Sequence, residues 1–232
     1  GSPSSSSQIG TAGDVETPLN QLTVTVNGGT VPVTVNGVTL TLTDSNGAGA
    51  GINPTAAGAV FADVVAGCGA TTATFTLRVT DGGALFNEAT LTVTVTPNTP
   101  PTVTYNLPAP VVFGASTTVS TATATDNGTI TGYAIQSVVP AMTTAPTVNG
   151  SGVVSITNAG AVGSHVITVR STDNCGAVTD SSFTLVVNKA GTTTTIVSDL
   201  PDPSVVGQNY TVTFAVAAVA PGAGVPAGNV TV

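Results

Sequence analysis

The eighteen residues RVTDGGALFNEATLTVTV (Arg78–Val95) are written again, without a gap, as RSTDNCGAVTDSSFTLVV (Arg170–Val187), 92 residues later. Arg78 falls on Arg170, Asp81 on Asp173 and Glu88 on Asp180; Leu91, Val93 and Val95 fall on Phe183, Leu185 and Val187. A second gapless match lays NLPAPVVFGASTTVS (Asn106–Ser120) over DLPDPSVVGQNYTVT (Asp199–Thr213), at a spacing of 93. A chain that repeats itself at a fixed period builds one structural unit several times. The first match joins the ends of units one and two, and the second joins the beginnings of units two and three. Residues 1–7 (GSPSSSS) read as a linker or tag remnant. Residues 8–96 form the first repeat, 102–188 the second, and 192–232 a partial third. The joints, TPNTPPT and NKAGT, are short and rich in Pro or Gly, which favours semi-rigid spacing.

Within each unit, apolar residues alternate with threonine, as in QLTVTVNG, VTLTLTD, ATLTVTVT and NYTVTF. Alternation places apolar side chains on one strand face, and β-branched Val and Thr suit a pleated surface. No segment holds a helical period. About 90 residues with six or seven strands and frequent turn signals predict a two-sheet Greek-key sandwich. In the second unit, strands are expected near 102–105, 111–113, 116–125, 129–138, 152–157, 164–172 and 181–188. The fold class is therefore all-β: tandem immunoglobulin-like Greek-key sandwiches, two complete and one partial.

The strings FTLRVTDGGALFNEATLTVTV, ITVRSTDNCGAVTDSSFTLVV and TTTTIVSDLPDPSVVGQNYTVTF resemble bacterial immunoglobulin-like and cadherin-like repeats. The resemblance implies tandem modules of large bacterial surface or secreted proteins, which serve as stalks, adhesins or filament parts. Two departures stand out: the chain has no Trp, and its two cysteines lie in different units.

Charge narrows the function. Only three Lys and Arg stand against eleven acids, for a net charge of −8. That excludes a basic footprint for nucleic acid. No apolar run is long enough for a membrane-spanning helix. A surface of Thr, Ser and Asn at pI ≈ 4.1 suits an extracellular or cell-surface setting.

Catalysis has little support in the residues. The one histidine, His165, sits at the start of a core-facing strand, with no nucleophile or acid at a recognisable spacing. There is no nucleotide loop and no Cys/His zinc cluster, so no enzyme activity and no cofactor are expected. Calcium is the chemical candidate that the cadherin resemblance raises, with Asp14, Glu16 and Asp81 in unit one and Asp126 and Asp173 in unit two. Calcium takes six to eight oxygens, and no dense Asp-rich loop supplies them. Asp before Asn or Gly is also ordinary turn chemistry, and turns are the expectation here. The Asn-X-Ser/Thr triplets at Asn127, Asn149, Asn209 and Asn229 are no more than a Thr-rich composition produces by chance.

Three further expectations follow. Arg78 and Arg170 point outward and pair with Glu88 and Asp180 across the last hairpin. Cys68 lies before the penultimate strand of unit one, and Cys175 in the last hairpin of unit two. These ends meet at the joint, which predicts a Cys68–Cys175 disulfide; the alternative is two unpaired thiols. The third unit offers strands in TTTTIVSDL, NYTVTFAVAAV and GNVTV, half a sandwich. Its face of Tyr210, Val212 and Phe214 is expected to be covered in the native particle, by the rest of a longer protein or by strand addition from another copy. The function expected is thus a structural or adhesive extracellular segment, associating head to tail with itself or with neighbouring repeats. The alternative is a polysaccharide-binding module or an accessory domain of a secreted enzyme. Carbohydrate platforms present exposed aromatic faces, whereas Phe61, Phe75, Phe183 and Phe214 sit in strand patterns that suggest core.

Overall fold

A computed structural model describes residues 7–29, 31–43 and 58–229. Its contacts divide the chain into two compact units, Gly1–Asn98 and Thr99–Val232.

In the first unit, strands β1 (Ser7–Thr11), β5 (Ala59–Ala66), β4 (Val38–Thr43) and β3 (Val33–Val35) form one sheet in that spatial order. Strands β2 (Thr23–Val26), β6 (Ala73–Thr80) and β7 (Phe86–Val93) form the other. The Thr/Val alternation does what its period dictates. Val38, Leu40 and Leu42 of β4 are buried, with half-buried threonines between them. They meet Val24 and Val26 of β2, Val60 and Ala62 of β5 and fully buried Phe75 of β6 in one core. Hydroxyls pair across strands where other proteins place charges: Thr34 Oγ1 and Thr39 Oγ1 are 2.8 Å apart on the β3–β4 hairpin. That hairpin turns on Asn36 and Gly37, both at positive φ (49° and 76°), the two-residue turn whose twist matches paired strands. Ser7, placed with the linker by composition, opens β1.

The second unit holds β8 (Thr102–Tyr105), β9 (Val111–Val112), β10 (Thr117–Val119), β11 (Thr121–Thr125), β12 (Ile130–Val139), β13 (Thr147–Val148), β14 (Val154–Ile156), β15 (Gly163–Asp173) and β16 (Val178–Asn188). One sheet runs β12-β15-β16-β9. Facing it are β10-β14-β13 and the pair β11-β8, where β10 and β11 are one run of chain broken at Ser120. Val119, Val154 and Ile156 from one side and Ile167, Val169, Phe183, Leu185 and Val187 from the other share a core. Strand order and inter-sheet packing are those of an immunoglobulin-like sandwich. The seven strands expected from the sequence are all here; β13, two residues long, is too short to carry an alternation signal.

The same unit also holds an antiparallel hairpin, β17 (Thr192–Leu200) with β18 (Thr211–Ala218), that has no second sheet among the described residues. Beyond it, Ala223 donates its N–H to the Phe113 carbonyl (2.9 Å), which ties the chain after β18 to the loop after β9. The expected GNVTV strand falls largely on residues 230–232, outside the described residues; Gly228 and Asn229 are irregular.

Candidate functional site

The two sandwiches differ at one seam. In the second, the stretch from β8 to β9 crosses between the sheets. β8 pairs antiparallel with β11, and β9 pairs parallel with β16 (Val187 with Val111, Asn188 with Val112). Val103 of β8 is buried, the Tyr105 and Phe183 rings meet at a tilt with their centroids 5.2 Å apart, and Ser181 Oγ donates to the Val103 carbonyl. Burial pushes the Tyr105 hydroxyl up to about 12, with Tyr133 nearby adding to the rise. In the first sandwich, β1 and β7 are both edge strands, and no described strand lies along either outer edge.

Between these edges runs a groove of about 450 Å³, whose apolar lining includes Ile9, Val24, Leu77, Val79, Phe86 and Leu91. The last strand shows the consequence. Leu91, Val93 and Val95 are only half-buried, although their counterparts Phe183, Leu185 and Val187 are buried. At the mouth of the groove Leu85 is 75% and Phe86 58% exposed. The Arg78 guanidinium lies 4.1 Å over the Phe86 ring and bonds Glu88 Oε1 at 2.6 Å. The second unit repeats the ion pair: Arg170 holds Asp180 through two hydrogen bonds of 2.8 Å. That contact lowers the Asp180 carboxyl and raises the Arg170 guanidinium from their ordinary values. Both arginines point outward, as their place in the alternation requires.

The carboxylates serve turns. Asp81 Oδ1 accepts from the N–H of Gly83 and Leu85, and Asp173 Oδ1 from Cys175 and Ala177, all at 2.8 Å. These two aspartates, aligned by the repeat, build the same turn twice. Asp126 Oδ2 accepts from Gly128 at 3.0 Å. Asp14 accepts from Val15 and Thr17, and its contact with Thr17 leads the lowering of its carboxyl. Asp14 and Asp81 both reach the groove of the first sandwich, whereas Glu16 does not line it. Among the described residues, no three His, Cys, Asp or Glu side chains come together as a metal would need.

His165 is 1% exposed, with Nδ1 2.8 Å from the Pro140 carbonyl and Nε2 2.9 Å from that of Ala161. Both ring nitrogens are engaged by backbone, which suits a structural residue. Neither cysteine is a free thiol. Phe75 and Phe183 are buried and Phe61 half-buried, as their patterns suggest. Phe214 departs from that expectation at 41% exposed, because among the described residues β18 has no facing sheet to bury it. Its neighbours on the expected strand-addition face divide: Tyr210 is 51% exposed and Val212 half-buried. Ile196, cross-strand from Phe214, is 66% exposed. The open seam was not anticipated from the sequence.

No family model matches the chain, and no curated protein does. Similar solved structures include the fibronectin(III)-like modules of Clostridium thermocellum CbhA (16% identity, 77% of this chain and 83% of that one, TM-score 0.33). Extracellular cadherin domains 3–6 of protocadherin Gamma B2 match at 16% identity over 80% of this chain and 46% of that one, with TM-score 0.35. The N-terminal eight Ig domains of Down Syndrome Cell Adhesion Molecule isoform 1.30.30 match at 13% over 90% and 29%, with TM-score 0.31. This chain thus spans less than half of the protocadherin and cell-adhesion chains. The likeness concerns the fold alone, and the strand pairings above establish that fold directly. No helix among the described residues is long and apolar enough to cross a membrane.

Proposed function

We propose that this chain is a structural and adhesive segment of an extracellular bacterial surface protein or filament, without catalytic activity, which associates head to tail through its third repeat. The observation that carries this reading is the uncovered β17–β18 hairpin: Ile196, Leu200 and Phe214 are 66%, 63% and 41% exposed on a two-stranded sheet. An isolated two-stranded ribbon is marginal in water, and an edge without lysines recruits another strand. β17 (TTTTIVSDL) and β18 (TVTFAVAA) carry no basic residue at all. Tandem sandwiches with short joints rich in Pro or Gly supply length, and the hairpin supplies the means of joining copies. The engaged ring of His165 supports the non-catalytic part of the reading. In an oxidising compartment, a Cys68–Cys175 disulfide serves as the covalent fastening.

Sedimentation velocity across a concentration series tests the reading. Growth of the weight-average mass with concentration is the expected result. A strict monomer throughout would remove the head-to-tail function.

A further inference from the structure

The joint NKAGT at 188–192, between the second sandwich and the third repeat, has the small and polar composition at which a chain bends and is nicked. In the structure it is gripped. After β18 the chain folds back over the joint. Val219 donates its N–H to the Gly191 carbonyl at 2.8 Å, and four residues on, Ala223 donates to the Phe113 carbonyl at 2.9 Å. Between these two bonds a turn closes, with the Gly222 N–H on the Val219 carbonyl at 2.9 Å.

The second sandwich fixes the receiving side. Phe113 donates its own N–H to the Asn188 carbonyl at the end of β16, at 2.8 Å. Its neighbours Gly114 and Ala115 are bonded to Ala159, at 2.8 Å each, and Ala159 is part of the core. The Phe113 carbonyl is thus aimed at Ala223 by bonds on either side of it. Packing is as close as backbone allows. Gly114 turns at φ 85°, and a Cβ there would overlap Ala223. A Cβ on Gly222 would strike Ala190 and come within 2.9 Å of the Val219 carbonyl oxygen.

The preceding repeat uses the same position. At a spacing of 93, Thr125 at the end of β11 falls on Ala218 at the end of β18, so the loop at 126–128 corresponds to the chain from Val219 onwards. That earlier loop also reaches back to its own joint, where Asn127 Oδ1 accepts from the Thr99 N–H at 3.2 Å.

We propose that residues 219–224 are a clasp, seated on the turn at 113–115 and on the joint, which makes 188–192 a fixed elbow rather than a hinge. The surface at 113–115 is a docking site, and its partner is the following repeat of the same chain. This deepens the structural reading above and rests on it: the clasp turns sandwiches in series into a stiff segment. To bend the joint, the chain must first break the Val219–Gly191 and Ala223–Phe113 bonds and part Gly222 from Ala190.

Limited trypsin digestion of the whole chain tests this. Lys189 is exposed and stands in the joint, yet the peptide after it is held, so the wild type should be cut there slowly. Gly222→Ala sets a Cβ against Ala190, and Ala223→Pro removes the N–H that bonds Phe113. Each should raise the cutting rate at Lys189 about tenfold, the worth of one backbone hydrogen bond. Arg78 in β6 and Arg170 in β15 should stay as slow as in the wild type, which shows that both sandwiches remain folded. Amide exchange at the cross-strand pair Ile196 and Phe214 should also be unchanged, which shows the same for the hairpin. A wild type cut at Lys189 as fast as the variants overturns the clasp. So does a gain at Lys189 matched by faster exchange along β17 and β18, because the hairpin itself would then be melting. The digestion is run at dilution, and the clasp lies within one copy, so failure of head-to-tail association is read separately by sedimentation.

Discussion

Ser181 donates its hydroxyl to the backbone carbonyl of Val103, 78 residues earlier, and so joins the last strand of the second sandwich to the strand that closes it. At the aligned position the first sandwich has Ala89, exposed on an edge with nothing to bond. Ser181→Ala should therefore destabilise the second sandwich by about 1 kcal/mol, the worth of one partly buried hydrogen bond. Ala89→Ser should leave the monomer unchanged. Urea denaturation of the two single variants measures both.

His165→Ala should cost about 3 kcal/mol. It removes a buried ring and leaves the carbonyls of Pro140 and Ala161 without their partner. A fall in the denaturation midpoint checks this. An unchanged midpoint would show that the ring is not held as described.

Tyr105 makes stability fall at high pH. Its hydroxyl is pushed up to about 12 from an ordinary 10.0, so below pH ~10 the folded and unfolded chains both keep the proton and the contribution is complete. As pH rises from 10 towards 12, the unfolded chain releases the proton first, and stability is lost. Among the described residues the buried hydroxyl has no hydrogen-bond partner. Tyr105→Phe should accordingly be neutral or mildly stabilising at pH 7 while keeping the ring contact with Phe183. It should also flatten part of the alkaline loss, which melting curves between pH 8 and 12 would reveal.

The proposed pairing of the cysteines can be read from an unusually sparse digest. Trypsin has three sites, after Arg78, Arg170 and Lys189, so Cys68 lies in the fragment 1–78 and Cys175 in 171–189. Without reductant, these two fragments should run as one species in mass spectrometry and separate when reduced. Free or self-paired fragments would refute the pairing.

The pattern of exposure on the β17–β18 hairpin gives a last expectation. In wild-type assemblies the amides of β17 should exchange more slowly than in an Ile196→Asp variant, whose new charge opposes burial of that exposed strand, by tenfold or more if the strand is paired. Equal exchange in both would place the contact elsewhere.

Much of this architecture was written locally. The Thr/Val alternation of VTLTLT specifies a strand with one buried face, because successive side chains point to opposite sides whatever the strand later pairs with. The aligned Asp81 and Asp173 specify the same turn twice, since each carboxylate bonds N–H groups two and four residues ahead. Arg78 with Glu88 and Arg170 with Asp180 follow from hairpin register alone. Which strands share a sheet is another matter. TVTV at 23–26 has the pattern of a strand on any edge, and only the fold places it against β6. Phe214 alternates as a core residue does, yet it is exposed, because burial needs a second sheet that β18 lacks among the described residues. The open seam is of the same kind. The sequence by itself determined strands, turns, repeats and hairpin pairs, all set by contacts within a few residues. The tertiary structure alone decided which edges are closed, because an edge is closed by a strand far away in the chain, and alternation carries no record of its partner.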